Sequence, residues 1–227
     1  LNKGFEKVTG SILAWLNSDD KYHLGSFSVV AEIFSKFNEI SWITGIPTAF
    51  DDLGRCVLVE PIRLWSKYSF YLGELAWIQQ ESTFWRRELW SKVDISRLLP
   101  LHFAGDFALW MLFFRYAKLY SINALLGGFR YRKSNQKTLD SMDLYLQEAK
   151  EILSQEILLL DANTKNHLNK MKLYQKLLRI TKRLNINSLK CKYFSMFEYP
   201  DKILFDKKNY SFKLLKSTYF TEQIYSY

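Results

Sequence analysis

The sequence predicts an α/β fold, and three observations predict it. The run SILAWL (11–16) is continuously apolar, as in a strand covered on both faces within a parallel sheet. The next periodic stretch, SFSVVAEIFSKF (26–37), puts Val29, Val30, Ile33, Phe34 and Phe37 on one side of a helix. Strand-like and helix-like segments then follow one another, with Gly, Pro and Asp between them.

In chain order, NKGFEKVTG reads as the end of a helix closed by Gly10 in a left-handed cap. If SILAWL stays extended into NSDD, Asn17 and Asp19 point together and Asp20 points away. Gly25 precedes the SFSVVAEIFSKF helix, with Ser26 as its N-cap. SWITGIPTAF and RCVLVEP read as strands joined by a turn at Asp51-Asp52-Leu53-Gly54. After the aromatic segment RLWSKYSFYLGELAW, IQQESTFWRRELWSKV is a short strand or loop passing into a helix. GDFALWMLFFRYAKL is a helix opening near Asp106. LYSINALLGGFRYR is a strand in which Gly127-Gly128 permit a bulge or a close backbone approach. In LDSMDLYLQEAKEILSQEILLL, Leu139, Met142, Leu146, Ala149, Leu153 and Ile157 mark one face of an amphipathic helix. A basic helix follows over 167–184, and the last 40 residues carry only local structure.

At 227 residues the chain suits one domain, or one domain with an appendage. With 48% apolar and 17% aromatic residues it is too rich for disorder. Cys56 and Cys191 are too few for a disulfide framework; buried thiols in a reducing compartment are the simpler reading. LNKGFEKVTG lacks the apolar run of a secretory signal, and ALWMLFF is too short to span a bilayer. The net charge of +9 is confined to the end of the chain. Residues 1–160 hold 18 Lys/Arg against 18 Asp/Glu, whereas 161–227 hold 14 against 5.

Three groups of residues could do chemistry. Asn17, Asp19 and Asp20 follow the first strand, where open α/β sheets bind ligands, and such carboxylates can bridge Mg²⁺ or Mn²⁺ to a phosphate. They could equally cap a turn and stay solvated. Gln79, Gln80, Trp85 and Arg87 in IQQESTFWRR combine amides, an aromatic ring and a cation, which suits a sugar or phosphate. Against that, Trp85 could be core, and Arg86 and Arg87 a solvated helical turn. Asp106 stands between an apolar wall, which would raise its pKa, and helix-terminal N–H groups, which would lower it. A helix cap without a catalytic task is the alternative.

Taken in order, LNKGF…TGSILAWLNSDDKYHLGSF, IQQESTFWRREL, GDFALWMLFFRYAKL and FRYR resemble the family 2 glycosyltransferases of the nucleotide-sugar-binding GT-A fold. The resemblance spans residues 1–133. It implies an Asp-x-Asp-type motif in which Asp19 binds the metal, Asn17 stands at the first acidic position, and Asp20 shapes the ribose or metal shell. It further implies Asp106 as the general base, preceded by Gly105 where the family has Glu. Gln79, Gln80, Trp85 and Arg87 would then lie near donor and acceptor, and Arg130 would face the diphosphate.

The expectation is therefore an incomplete GT-A-like domain over 1–135, with a mostly helical, basic extension over 136–227. LNKGF reads as mid-helix, so the chain is expected to be an N-terminally truncated fragment without the nucleotide-binding half. The implied activity is inverting transfer from a nucleotide-sugar donor to a glycan or lipid-linked acceptor, with Mg²⁺ or Mn²⁺ as cofactor. The competing expectation is a non-enzymatic sugar- or polyanion-binding remnant. The chain is expected in the cytoplasm, and its basic tail suggests either peripheral contact at the cytoplasmic face of a membrane or a solvated basic extension. No nucleic-acid-binding motif accompanies it.

Overall fold

The computed structural model describes residues 2–98, 100–132, 141–181 and 186–216, which form a mixed α/β fold. Its strands are β1 (Ile12–Leu13), β2 (Lys21–Tyr22), β3 (Trp42–Thr44), β4 (Thr48–Phe50), β5 (Cys56–Val59), β6 (Thr83–Arg86), β7 (Tyr120–Ser121), β8 (Gly127–Arg130), β9 (Lys202–Asp206) and β10 (Ser211–Leu215). Its helices are α1 (Asn2–Phe5), α2 (Ser26–Lys36), α3 (Lys67–Tyr71), α4 (Arg87–Trp90), α5 (Gly105–Phe114), α6 (Met142–Leu158), α7 (Ala162–Ile180) and α8 (Asn187–Ser195).

One sheet runs β1-β6-β3-β7 and a second runs β2-β8-β4-β5, while β9 and β10 form a hairpin. Among the described residues β3–β7 and β4–β8 pair in parallel, and a single parallel bridge joins Ile122 to Ile203 of β9. The strand expected over SILAWL is shorter than its apolar run and is not parallel to its neighbour. It pairs only at Ile12 and Leu13, antiparallel to β6, and Leu16 is exposed. An apolar run carries burial information but no strand direction. SWITGIPTAF is also divided: β3 lies in the first sheet and β4 in the second, with Gly45, Ile46 and Pro47 between them. Pro47 has no N–H to offer a ladder at that crossing.

Two cores result. In the larger, α5 inserts between the first sheet and the C-terminal helices, and every residue from Phe107 to Phe114 is buried. A helix apolar all round has no solvent face, so it must be enclosed. Trp42, Trp85 and Trp110 pack there with Phe113. The smaller core joins Ile33, Phe34, Ile43, Phe84 and Ile122 to Ile203 and Phe212 of the hairpin.

The segment expected as an extension contributes to both cores. Ala149, Leu153, Leu168, Met171, Tyr193 and Phe197 enter the larger one, and the hairpin enters the smaller. The expected boundary at 135/136 lies in 133–140, outside the described residues. The basic helix begins earlier than expected, because Asp161 caps it by accepting the Thr164 N–H at 2.9 Å. Lys182 and Arg183 lie outside the described residues.

Two further expectations change. Gly25, at φ +80°, is the residue that precedes α2, and the Ser26 hydroxyl instead turns to the carbonyls of His23 and Leu126. Cys56 and Cys191 are exposed free thiols rather than buried ones. Gly127 meets the expected close approach: a Cβ there would sit 2.0 Å from the Glu81 carbonyl oxygen.

Candidate functional site

A cleft of about 660 Å³ lies where the loop after β1, the turn before β6, the first turn of α5 and the start of α6 meet. Asn17, Gln80, Glu81, Asp106 and Tyr145 bring polar groups to it, and Trp15, Trp77, Trp90, Phe103 and Phe129 form aromatic walls.

The chain does not stay extended through NSDD. The Asp20 N–H donates to the Asn17 carbonyl at 3.2 Å, closing a turn. This reverses the expected side-chain grouping. Asn17 Nδ2 donates to Asp20 Oδ2 at 3.1 Å and to Gln80 Oε1 at 3.2 Å. Gln80 Nε2 in turn donates to the Trp15 carbonyl at 2.6 Å, tying the loop to the turn before β6. Asp20 is buried and also accepts the Arg130 N–H at 3.0 Å. Asp19 faces outward, pairs with Arg132 at 3.1 Å, and its carbonyl accepts from Arg130 Nε at 2.6 Å.

Glu81 is the most unusual acid of the group. The residue is 3% exposed, and its side chain hydrogen-bonds Asp20. Burial first, and the Asp20 carboxyl second, push its pKa up to about 8. Burial also raises Asp20. Two carboxyls this close in a dry setting do not both ionise at neutral pH, so Glu81 keeps its proton and donates a hydrogen bond to Asp20.

Asp106 lies one residue inside α5 and is not its N-cap, which is Ala104. The cap expectation fails because the helix opens at Gly105, one residue earlier, with no side-chain cap at Ala104; a second carboxylate instead holds the loop before it. Glu148 of α6 accepts the N–H groups of His102, Phe103 and Ala104 at 3.0, 2.8 and 2.5 Å. Burial alone would raise Glu148, yet these three donors hold it below the ordinary range. Replacing Glu148 by Ala strands them and should cost about 1–2 kcal/mol, read as a shift in the urea midpoint. An unchanged midpoint would show that water serves the three groups equally well.

With the loop before α5 held by α6, Asp106 faces the cleft. Burial raises its pKa to about 6, against the Phe107 N–H at 2.7 Å and the Tyr145 hydroxyl, which lower it. Burial and the Asp106 charge push the Tyr145 hydroxyl well above its ordinary value, so it remains a donor.

The other expected site residues stand elsewhere. Gln79 is buried and fully engaged: Oε1 accepts from the Thr48 N–H and Ser82 Oγ, both at 3.0 Å, and Nε2 donates to the Thr48 carbonyl at 2.7 Å. Trp85 is 0% exposed and offers no surface to a ligand. Arg87 binds the carbonyls of Val8 and Gly10, holding the N-terminal segment on α4. Arg130 lies over the Phe50 ring beside the Asp19–Asp20 loop.

Glu81, Tyr145 and Glu148 were not among the residues the sequence singled out. Glu81 sits inside IQQESTFW, an acid among amides, hydroxyls and apolar residues, and that contrast is its signal. Tyr145 falls three residues after Met142, on the periodic face of α6. Nothing local marks Glu148.

Among the described residues, no group of three or more His, Cys, Asp or Glu could hold a metal ion. A divalent cation carried by a diphosphate needs only one or two protein carboxylates; Asp19 is a partly exposed carboxylate on the loop, ion-paired with Arg132.

No protein-family model matches the chain, and no curated protein matches it in sequence. Among the described residues no helix is long and apolar enough to cross a membrane. Lys170, Lys172, Lys176 and Arg179 are exposed on α7, beside exposed Leu173 and Ile180.

Proposed function

We propose that this chain carries the site of an inverting glycosyltransferase, moving a sugar from a nucleotide-sugar donor to a hydroxyl acceptor. The supporting observation is Asp106, a carboxyl with a pKa near 6, steadied by Tyr145 on the wall of an aromatic cleft. At neutral pH it is largely ionised, yet more basic than a solvated aspartate, which is what a general base requires. Asp106 takes the acceptor's proton as that oxygen attacks the anomeric carbon. One displacement inverts the centre, so no covalent sugar–enzyme step is needed.

The walls formed by Trp15, Trp77 and Trp90 offer flat apolar faces for sugar C–H groups. Asn17 and Gln80 hold each other and the strand end, so the cleft floor is set before a ligand arrives. A divalent cation, Mg²⁺ or Mn²⁺, when bound with the donor, supplies positive charge to the departing diphosphate. Asp19 is the residue that would hold it. Arg130 and Arg132 flank Asp19 and add charge of the same sign.

Isothermal titration of the chain with UDP, with and without Mn²⁺, tests this reading. Binding should require Mn²⁺ and should disappear in Asp19→Asn. The absence of UDP binding in both conditions would remove the donor site. A sugar-binding site without transfer is the second reading, favoured by the aromatic walls taken alone. It calls for sugar binding with no response to UDP and Mn²⁺.

A further inference from the structure

Beside the cleft lies a second cavity of about 320 Å³, and Trp77, Glu81 and Phe129 line both. Its remaining walls include Ala49, Leu58, Trp65 and Ala76. Polar groups are present in the lining, but most have partners already. Gln79 is used at both ends by Thr48 and Ser82. Thr48 Oγ1 donates to the Gly127 carbonyl at 2.8 Å. Arg63 is paired with Glu74, and Glu81 with Asp20. At the wall formed by Thr48, Gln79 and Glu81 a polar ligand would have to break these bonds, whereas an apolar one leaves them intact and dries the wall. Glu60 and Tyr131, also in the lining, are exposed to solvent.

The position of the cavity relates it to the chemistry next door. The Trp77 ring stacks on Tyr145, with centroids 4.8 Å apart and planes at 22°. Tyr145 hydrogen-bonds Asp106. A group leaving the second cavity across Trp77 and Phe129 therefore enters the cleft beside the Tyr145–Asp106 pair.

We propose that the second cavity binds an apolar group of the acceptor, so that the acceptor is an amphiphile with a hydrocarbon or ring system next to its reacting hydroxyl. The word acceptor rests on the sugar-transfer reading; the apolar chemistry of the cavity does not. At about 320 Å³ the space is at the lower end for a ligand pocket, which suits part of a molecule rather than the whole.

The test compares three probes by isothermal titration: methyl β-D-glucoside, n-octyl β-D-glucoside below its micelle-forming concentration, and 1-octanol. Each is titrated into the wild-type chain and into two variants that fill the cavity, Leu58→Trp and Ala76→Leu. Leu58 is partly exposed on β5, at the end of its sheet, and can accept a larger side chain without opening the core. The octyl glucoside should bind at least about tenfold more tightly than the methyl glucoside, because a buried alkyl chain adds favourable transfer energy at each carbon. Both variants should erase that advantage and leave methyl glucoside unchanged. Equal affinity of the two glucosides in the wild type, or an octyl advantage that survives in both folded variants, overturns the proposal. Octanol binding that the variants abolish, with no glucoside binding at all, would keep the apolar site and overturn the sugar-transfer reading instead.

Discussion

Replacing Asp106 by Asn is expected to slow sugar transfer by about 10²–10⁴-fold, the usual contribution of a positioned general base. The amide keeps the shape of the side chain and can still meet the Phe107 N–H and the Tyr145 hydroxyl through its oxygen. It cannot accept a proton. The same substitution should not harm folding, and here the sign is informative. Burial raises the Asp106 pKa from 3.8 to about 6, so its ionised form is held at a cost in the folded state. Removing that charge should leave stability at neutral pH equal or higher, by roughly 1–3 kcal/mol at most. Lost turnover with retained or raised Tm separates a missing base from a damaged fold. Wild-type kcat/KM should climb about tenfold per pH unit below the Asp106 pKa and level off above it. Release of nucleoside diphosphate is a sufficient assay. Near-normal turnover in Asp106→Asn would remove Asp106 from the chemistry.

The second large effect concerns Glu81 and is read in stability. In the unfolded chain Glu81 loses its proton near 4.5, whereas in the folded chain it keeps it to about 8. Between those values the folded state binds more protons than the unfolded state, so stability falls as pH rises. The contribution is fully present below the unfolded pKa and is lost by the time pH passes the folded one. Over that window the loss should amount to roughly 3–5 kcal/mol, with part of it shared with Asp20. Glu81→Gln removes the titration. The new amide can donate to the Asp20 carboxylate, as the protonated acid does. Around pH 8 the variant should therefore be more stable than the wild type, with a flatter curve of Tm against pH. Parallel curves for the two proteins would show that Glu81 is not a buried, proton-holding acid.

These predictions concern residues that the sequence revealed unequally. Asp106 is visible because an acid opens the most apolar helix in the chain, and such an acid must either cap or work. The choice between those tasks depends on where the helix opens, at Gly105, and on Glu148 of α6, 42 positions later, which holds the loop leading into it. Asn17 and Gln80 were both marked, but their direct hydrogen bond is a contact across 63 positions. The grouping expected for Asn17, Asp19 and Asp20 assumed an extended chain. A turn closes there instead, sending Asp20 inward to Glu81 and Asp19 outward to Arg132. Trp85 shows the opposite limit: one tryptophan can be a sugar platform or a core residue, and only burial tells them apart.

By itself the sequence determined the α/β class, the enclosed helix at Phe107–Phe114, the amphipathic helix that became α6, and the acid at position 106. Each follows from local composition or periodicity, because residues near in sequence share one element and one face. Only the tertiary structure decided the direction of β1, the division of SWITGIPTAF between two sheets, and the pairing of Glu81 with Asp20. It also decided that the segment after residue 140 completes the site through Tyr145 and Glu148. Those outcomes depend on contacts between distant segments, where desolvation and hydrogen bonding act on pairs that no local pattern specifies.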